Sequence, residues 1–279
     1  MIYRKIYDTT KAIIPGGRIN EYWTGQIKSF FNKYRQPHFP FKKNIDYLEQ
    51  KDILKKYNLF GFEYGNWVTQ NERYNFLICS HFSLYDLALI LGFKNIGFGK
   101  ITIAFGARGH SGAIAHFEPG TNAINLTRVG GWQSLAHEYG HALDFYFGGY
   151  IEQNKNHYAL SEGRSTHFYV PLSQYEKSSL RYKMNDLINT INTVEKNGKI
   201  TYSESFKRIK DSGDYYRRRC EIFARFFEKW VQYKLSKKGI RNYFLSKDKY
   251  QAKHYVNRID FARALPKMEL LMNTIKKNE

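Results

Sequence analysis

The sequence of 279 residues predicts an α+β fold with a small mixed sheet, and three observations support this. A helical pattern over about 74–92 comes first, three short strand-like segments follow it, and helical patterns fill the C-terminal half. Strands that are grouped between helices, instead of alternating with them, are typical of the α+β class. The hydrophobic fraction of 42% and the aromatic fraction of 17% suffice for a buried core, so global disorder is not expected.

Each element has its own signal in the sequence. Over 74–92 apolar residues recur at helical spacing, and Gly92 follows as a stop signal. The strand-like segments are rich in β-branched, aromatic and small apolar residues and are separated by glycine-containing turns. Two glycines, Gly148 and Gly149, end a central helix. The predicted strands are 101–105, 113–117 and 123–127, and the predicted later helices are about 132–147, 180–194, 216–235 and 255–276.

These patterns divide the sequence into three regions. Residues 1–55 form a basic N-terminal extension that contains one possible helix, over 20–34, and that packs on the main domain or stays partly mobile. Residues 56–250 form the main domain. Residues 251–279 form a C-terminal helix.

The composition sets the partner classes. The net charge of +19 and the pI of about 9.7 favour polyanions, so nonspecific nucleic-acid binding is possible, although lysines and arginines are spread along the whole chain. No secretory signal is recognised, and the best apolar candidate for a membrane span, 84–93, is short and contains Asp86. Cys79 and Cys220 are expected as reduced thiols. We therefore expect a cytoplasmic protein without a membrane partner, and the oligomeric state stays open.

The central helix contains the sequence HEYGH. His137 and His141 are four residues apart, so they lie about 40° apart on the helix and can bind one zinc ion together. Glu138 lies about 60° from His141, where it can accept a proton from a zinc-bound water as general base. The opposite face carries an apolar stripe typical of a helix packed on a core, namely Leu135, Tyr139, Ala142 and Tyr146. The alternative is a polar helix face that carries two histidines by chance.

A zinc site of this type needs a third protein ligand, and two carboxylates compete for the role. Asp144 lies on the same helical face, seven residues after His137. Glu221 lies on a later, strongly apolar helix and would approach from another side, which suits a tetrahedron better. We favour Glu221 as ligand and Asp144 in a supporting position, orienting a histidine. The alternative for Glu221 is a surface carboxylate paired with Arg225 at i+4.

At this point the sequence resembles a known family. The segments FGFEYGNWVTQNER, ITIAFGARGHSGAIAHFEPGTNAINLTRVGGWQSLAHEYGHALDFYF, CEIFARFFEKWV and GIRNYFL, between about residues 59 and 245, resemble the first large polyvalent protein-associated domain. That domain occurs in long proteins of phages and conjugative elements. The pair HEYGHALD and EIFARFFE is also similar to the catalytic domain of anthrax lethal factor, a zincin-type metallopeptidase.

The resemblance implies a zincin-like metallopeptidase fold and a ligand set. His137, His141 and Glu221 would hold the zinc, and Glu138 would act as base. A tyrosine a few residues before the glutamate would stabilise the oxyanion, and both Tyr215 and Tyr216 are candidates for it. In zincins the strand before the active-site helix lines the cleft and pairs with substrate.

Ala113 to Phe117 is the candidate for that edge strand, so His116 or Glu118 would face the cleft. The alternative is an ordinary surface histidine and a turn carboxylate.

Three functions are weighed against one another. The first is a zinc metallopeptidase, encoded by a phage or mobile element and acting on a protein or peptide in the bacterial host cell. The second is an accessory protein on the same fold that binds nucleic acid through its basic surface, with weak or no catalysis. The third is a structural protein in which zinc only stabilises the fold.

Overall fold

The computed structural model describes residues 21–37, 49–109, 112–152, 158–247 and 249–278, apart from the side chain of Asn71. The predicted mobility of the first residues, up to 20, lies outside the described residues. The described strands are β1 (Gly61–Tyr64), β2 (Thr102–Phe105), β3 (Ala115–Glu118), β4 (Ala123–Leu126), β5 (Thr193–Lys196) and β6 (Lys199–Tyr202). The described α-helices are α1 (Glu21–Lys33), α2 (Gln50–Tyr57), α3 (Gln70–Leu91), α4 (Leu135–Tyr146), α5 (Leu180–Asn192), α6 (Glu204–Lys210), α7 (Asp214–Arg217), α8 (Arg219–Lys237) and α9 (Arg258–Lys277).

The chain divides into two compact units. The first unit comprises Met1–Glu138 and Val231–Asp248, and the second comprises Tyr139–Trp230 and Lys249–Glu279. The chain passes between the units three times, once within α4, once within α8 and once after residue 248. The mixture of helices with a small sheet confirms the α+β class.

The first unit contains a four-stranded sheet in the order β1-β2-β4-β3. Strands β1, β2 and β4 run parallel to one another, whereas β3 pairs antiparallel with β4. The sheet is therefore mixed, and β3 is an edge strand, as the sequence predicts. The strand begins at Ala115, two residues later than predicted.

Helix α1 contributes to the core of the first unit. The Trp23 side chain is fully buried, and its ring packs edge-on against aromatic rings that include those of Phe76, Phe105 and Trp132. Its indole N–H points at the carbonyl oxygens of Thr127 and Arg128, at 3.2 and 3.1 Å. A buried tryptophan with a satisfied N–H is typical of a core anchor, so at least this part of the predicted extension is integral to the fold.

Helix α3 is the long core helix of the first unit. Thr69 and Glu72 form a capping box at its start, and Gly92 ends it in the left-handed conformation, as predicted. The window Glu72–Leu91 is long and apolar enough to cross a membrane, so the expectation that no segment reaches that length is wrong. That window is 78% buried within the protein, which is the character of a core helix.

The second unit is mainly helical. Helix α5 packs against α9, and a two-stranded hairpin of β5 and β6 follows α5 directly. The predicted helix over 180–194 therefore ends earlier, because Asn197 and Gly198 adopt positive φ angles and form the hairpin turn. The predicted helix over 216–235 is divided, since α7 ends at Arg217 and α8 begins at Arg219.

Candidate metal centre

Helix α4 positions both histidines of the HEYGH motif. Its predicted apolar face is buried at Leu135, Tyr139 and Ala142, each at most 1% exposed. His137 is half-buried and His141 is 8% exposed. The boundary between the two units falls after Glu138, but one continuous helix fixes the spacing of the two histidines. The two histidines therefore lie on the face of α4 opposite its buried apolar residues, as the sequence predicts.

Helix α8 supplies the carboxylate, because it lies unusually close to α4. A Cβ atom added at Gly140 would lie 3.2 Å from the Cα of Ala224 and 3.3 Å from the Phe227 ring. Both distances are tighter than ordinary van der Waals contact, so a side chain at Gly140 would require Ala224 or Phe227 to shift by a few tenths of an ångström. The glycine of HEYGH thus allows the close crossing that places Glu221, which is 6% exposed, beside His141.

The three predicted ligands come together. One ligand atom from each of His137, His141 and Glu221 lies within 4.8 Å of the other two. The Nε2 atom of His141 is 3.4 Å from Oε1 of Glu221. Two ligands about 2.1 Å from a zinc ion, at a tetrahedral angle, are also about 3.4 Å apart. The donor set, its burial and this spacing therefore fit zinc, and zinc itself stays a prediction.

Glu221 and Arg225 do form the i+4 pair considered as an alternative. The Nη1 atom of Arg225 donates to Oε2 of Glu221 at 3.3 Å. The surface location expected in that alternative is wrong, however, because both side chains are less than 10% exposed. The arginine engages one carboxylate oxygen while the other faces His141, so pairing and metal binding are compatible.

Asp144, the competing ligand, is engaged elsewhere. It is fully buried, and its two oxygens accept from the backbone N–H and the hydroxyl of Ser161, at 2.8 and 2.5 Å. Burial raises the pKa of Asp144, and the Ser161 hydrogen bonds together with the charge of His141 oppose that rise. Asp144 is not part of the three-residue group, and its predicted role of orienting a histidine stays a prediction.

Sequence reasoning missed Arg219, which supports this arrangement from the start of α8. Its side chain is fully buried and donates to the carbonyls of Ser161 and His167 and to the Asn185 side chain, at 3.1, 3.0 and 2.6 Å. Burial lowers the pKa of Arg219 to about 10, and Glu162, Tyr175 and Asp144 oppose the decrease. The run of three arginines before Cys220 was its only sequence signal.

The predicted catalytic residues, Glu138, Tyr215 and Tyr216, lie close in sequence to the predicted ligands. Glu138 follows His137 on α4 and is 5% exposed. Tyr216 lies in a stack, with its ring 5.2 Å from the Arg225 guanidinium and 4.0 Å from the His254 ring. Tyr215 is 48% exposed. Tyr216 is therefore linked to Glu221 through Arg225, and the oxyanion role of either tyrosine stays a prediction.

The residues predicted to line the substrate cleft lie in the first unit, on β3. Arg108 donates to Glu118 at 2.6 Å and to both oxygens of Glu63 at 2.8 and 2.6 Å. Nε2 of His116 is 3.3 Å from Glu118. Arg108 thereby joins β1 and β3, the two outer strands of the sheet. Substrate contact by His116 or Glu118 stays a prediction.

The comparisons with known proteins concern the segment that contains Glu221. Residues 207–279 match the family model of large polyvalent protein-associated domain 1. The matched segment contains CEIFARFFEKWV and GIRNYFL and begins after HEYGH, so resemblance in the earlier motifs stays a prediction. No curated protein and no solved structure matches the chain. The match covers residues 207–279 alone, and over that segment it supports the resemblance to large polyvalent protein-associated domain 1.

Proposed function

We propose that this protein is a zinc-dependent metallopeptidase with a zincin-like fold. The observation that carries the proposal is the convergence of His137, His141 and Glu221 from two closely packed helices. Two imidazoles and one carboxylate, with a further position left for water, are the ligand set of catalytic zinc in peptidases. Glu138, next to the first histidine, supplies the carboxylate that such chemistry requires.

The division of labour follows from the residues. His137, His141 and Glu221 would hold the zinc ion, which would supply Lewis-acid chemistry to the substrate carbonyl and to water. Glu138 would act as general base, accepting a proton from the attacking water on its carboxylate and passing it to the leaving amine. Arg225 holds one oxygen of Glu221, which keeps the other oxygen turned towards His141.

The setting of the reaction is part of the same proposal. The matched family supports an association with polyvalent proteins of phages and mobile elements. Cys79 and Cys220 are both free and buried, which suits the reducing cytoplasm of a bacterial host cell. The substrate is a protein or peptide in that compartment.

The decisive experiment compares Glu138→Gln with Glu195→Gln, an exposed glutamate on β5 that serves as a matched control. Zinc-loaded proteins are incubated with a proteome-derived peptide mixture in heavy-oxygen water, and mass spectrometry counts the new labelled C-termini. We expect Glu138→Gln to retain zinc and lose at least about a hundredfold in cleavage rate, because the general base is removed. The control should match the wild type.

Two results would contradict the proposal. If Glu138→Gln cleaves as fast as the wild type, Glu138 is not the base. If the zinc-loaded wild type yields no labelled termini from peptides or from unfolded proteins, the peptidase function itself is wrong.

A further inference from the structure

The first unit carries a strongly basic segment that the metal centre does not use. From residue 231 to residue 247 the sequence contains five lysines and arginines and no aspartate or glutamate. These residues lie at the end of α8 and in the loop after that helix. The cations are Lys234, Lys237, Lys238, Arg241 and Lys247.

The end of α1 and the residues after it add two more cations, Lys33 and Arg35, to the same area. Arg35 and Arg241 exchange backbone hydrogen bonds of 3.1 and 2.8 Å, so the two segments lie side by side. The Lys33 ammonium lies 5.8 Å from the centre of the Tyr243 ring. We call Lys33, Arg35, Lys237, Lys238 and Arg241 the basic surface. All five are exposed, and within the described part of the chain none pairs with a carboxylate.

A polar cavity opens at this surface. Its volume is about 120 Å³, several times the roughly 30 Å³ of one water molecule, so it has room for a phosphate-sized group. Arg241 and Lys247 supply positive charge to its lining. Hydrogen-bonding groups come from three other polar lining residues, Gln232, Ser236 and Ser246. Cationic and neutral donors around one cavity are what a phosphate oxygen binds.

The loop that carries Arg241 is held by buried hydrogen bonds. Oδ1 of Asn242 accepts from the Ser83 hydroxyl and from the backbone N–H groups of Phe244 and Leu245, at 3.0, 3.2 and 3.0 Å. Its amide nitrogen donates to Asp86 at 2.8 Å. Asn242 is thus fully engaged within the core, which fixes its neighbour Arg241 at the mouth of the cavity.

The apolar content of the surface separates nucleic acid from membrane as partner. A membrane-binding face needs large apolar side chains between its cations. Among the described residues, the exposed large apolar side chains all lie outside 28–37 and 231–247. Charge without apolar anchors suits a phosphodiester backbone, which binds largely by neutralisation of its phosphates.

We propose that the basic surface binds the sugar-phosphate backbone of nucleic acid, with one phosphate placed in the cavity beside Arg241. The binding is expected to be independent of base sequence, because contacts between cations and phosphates carry no sequence information. This inference does not rest on the proposed peptidase function, since it involves none of the metal-centre residues.

The test is fluorescence anisotropy of a labelled duplex DNA of mixed sequence with the full-length protein at several salt concentrations. Five phosphate contacts predict a slope of roughly −4 to −5 in a plot of log affinity against log salt. The double variant Lys237→Ala/Arg241→Ala should reduce that slope by about two and weaken binding at least about tenfold at low salt. The matched control is Lys276→Ala/Lys277→Ala, which removes the same charge from exposed residues at the end of α9.

Each outcome decides the proposal. A large loss in the first double variant with little change in the control supports it, provided that both variants unfold at the wild-type temperature. Equal losses in both variants show that net charge alone is responsible and overturn it. Absence of duplex binding at low salt, or binding of phosphatidylserine vesicles in its place, overturns it as well.

Discussion

Two glutamates of this protein each lie beside a histidine and an arginine, yet only one belongs to a candidate metal centre. Glu221 faces His141 at 3.4 Å and accepts from Arg225 at 3.3 Å, in a region less than 10% exposed. Glu118 faces His116 at 3.3 Å and accepts from Arg108 at 2.6 Å, with about a third of its side chain exposed.

The difference lies in what surrounds each pair. Near Glu221 a second histidine on α4 completes a donor set, and Arg225 contacts one carboxylate oxygen while the other lies beside His141. Around Glu118 the shorter arginine contact and Thr121 engage the carboxylate, and no second histidine ligand joins within the described residues. A histidine–glutamate pair thus becomes a metal site through its neighbours.

The largest effect that separates the two regions is expected in zinc content. His141→Ala removes one of three ligands and should reduce bound zinc from about one ion per chain to nearly none. His116→Ala should retain the full zinc content. Elemental analysis after gel filtration measures both. Equal zinc in the two variants would show that the geometry around His141 does not bind the metal.

The next effect concerns the helix crossing that places Glu221. In Gly140→Val the added Cβ would lie 3.2 Å from the Cα atom of Ala224, and valine has two further carbons. We expect this substitution to destabilise the fold by about 1–3 kcal/mol. Gly25→Val on α1 has nothing within 4 Å and should be neutral or slightly stabilising, because valine favours helix more than glycine does. Urea unfolding of the apo proteins compares them. A neutral Gly140→Val would mean that α4 and α8 can separate at little cost.

A smaller effect is expected from the arginine beside each glutamate. Arg225→Ala removes the donor that orients Glu221 and should weaken zinc binding by about 10- to 100-fold. Arg108→Ala is the matched change beside Glu118 and should leave zinc affinity unaltered. Competition with a chromophoric chelator measures both affinities. If Arg225→Ala binds zinc as the wild type does, the arginine only pairs charge.

The smallest effect is a dependence of stability on pH at Glu118. Burial alone would raise the pKa of Glu118, but hydrogen bonds from Arg108, Thr121 and His116 outweigh it and lower the pKa. Because the folded-state pKa is the lower one, this stabilisation is present above the unfolded pKa and is lost as pH falls through the folded value. In Arg108→Ala we expect a loss below about 1 kcal/mol at neutral pH, shrinking under acid conditions. Urea unfolding of the wild type and Arg108→Ala, at neutral pH and under acid conditions, tests whether the difference in unfolding free energy shrinks on acidification.

Much of the centre was predictable because it depends on periodicity. The helix around HEYGH and the position of Gly92 as a helix end follow from local patterns, and the structure confirms both. The edge position of β3, also confirmed, was predicted from the resemblance. The convergence of Glu221 on the histidines was predicted only from its apolar helix and from the resemblance. A single sequence carries no information on which distant helix faces which.

The supporting contacts were less accessible to sequence reasoning. Arg219 looked like one of many cations, since nothing local distinguishes a buried arginine from an exposed one. The Arg219 side chain is held by hydrogen bonds to carbonyl groups more than fifty residues away, which only the folded chain brings together. The β5–β6 hairpin was missed for a different reason, because helical spacing upstream concealed its Asn197-Gly198 turn.

The close approach of Gly140 to Ala224 has a thermodynamic consequence for the centre. Two of the ligands, His141 and Glu221, lie on packed helices, so the conformational entropy of ordering their backbone is lost when the chain folds. Little would remain to be lost if an ion entered, so we expect that a metal bound by these predicted ligands could be released or exchanged without unfolding of the chain. The affinity for zinc and the stability of the fold are then separate properties, which selection can change one at a time.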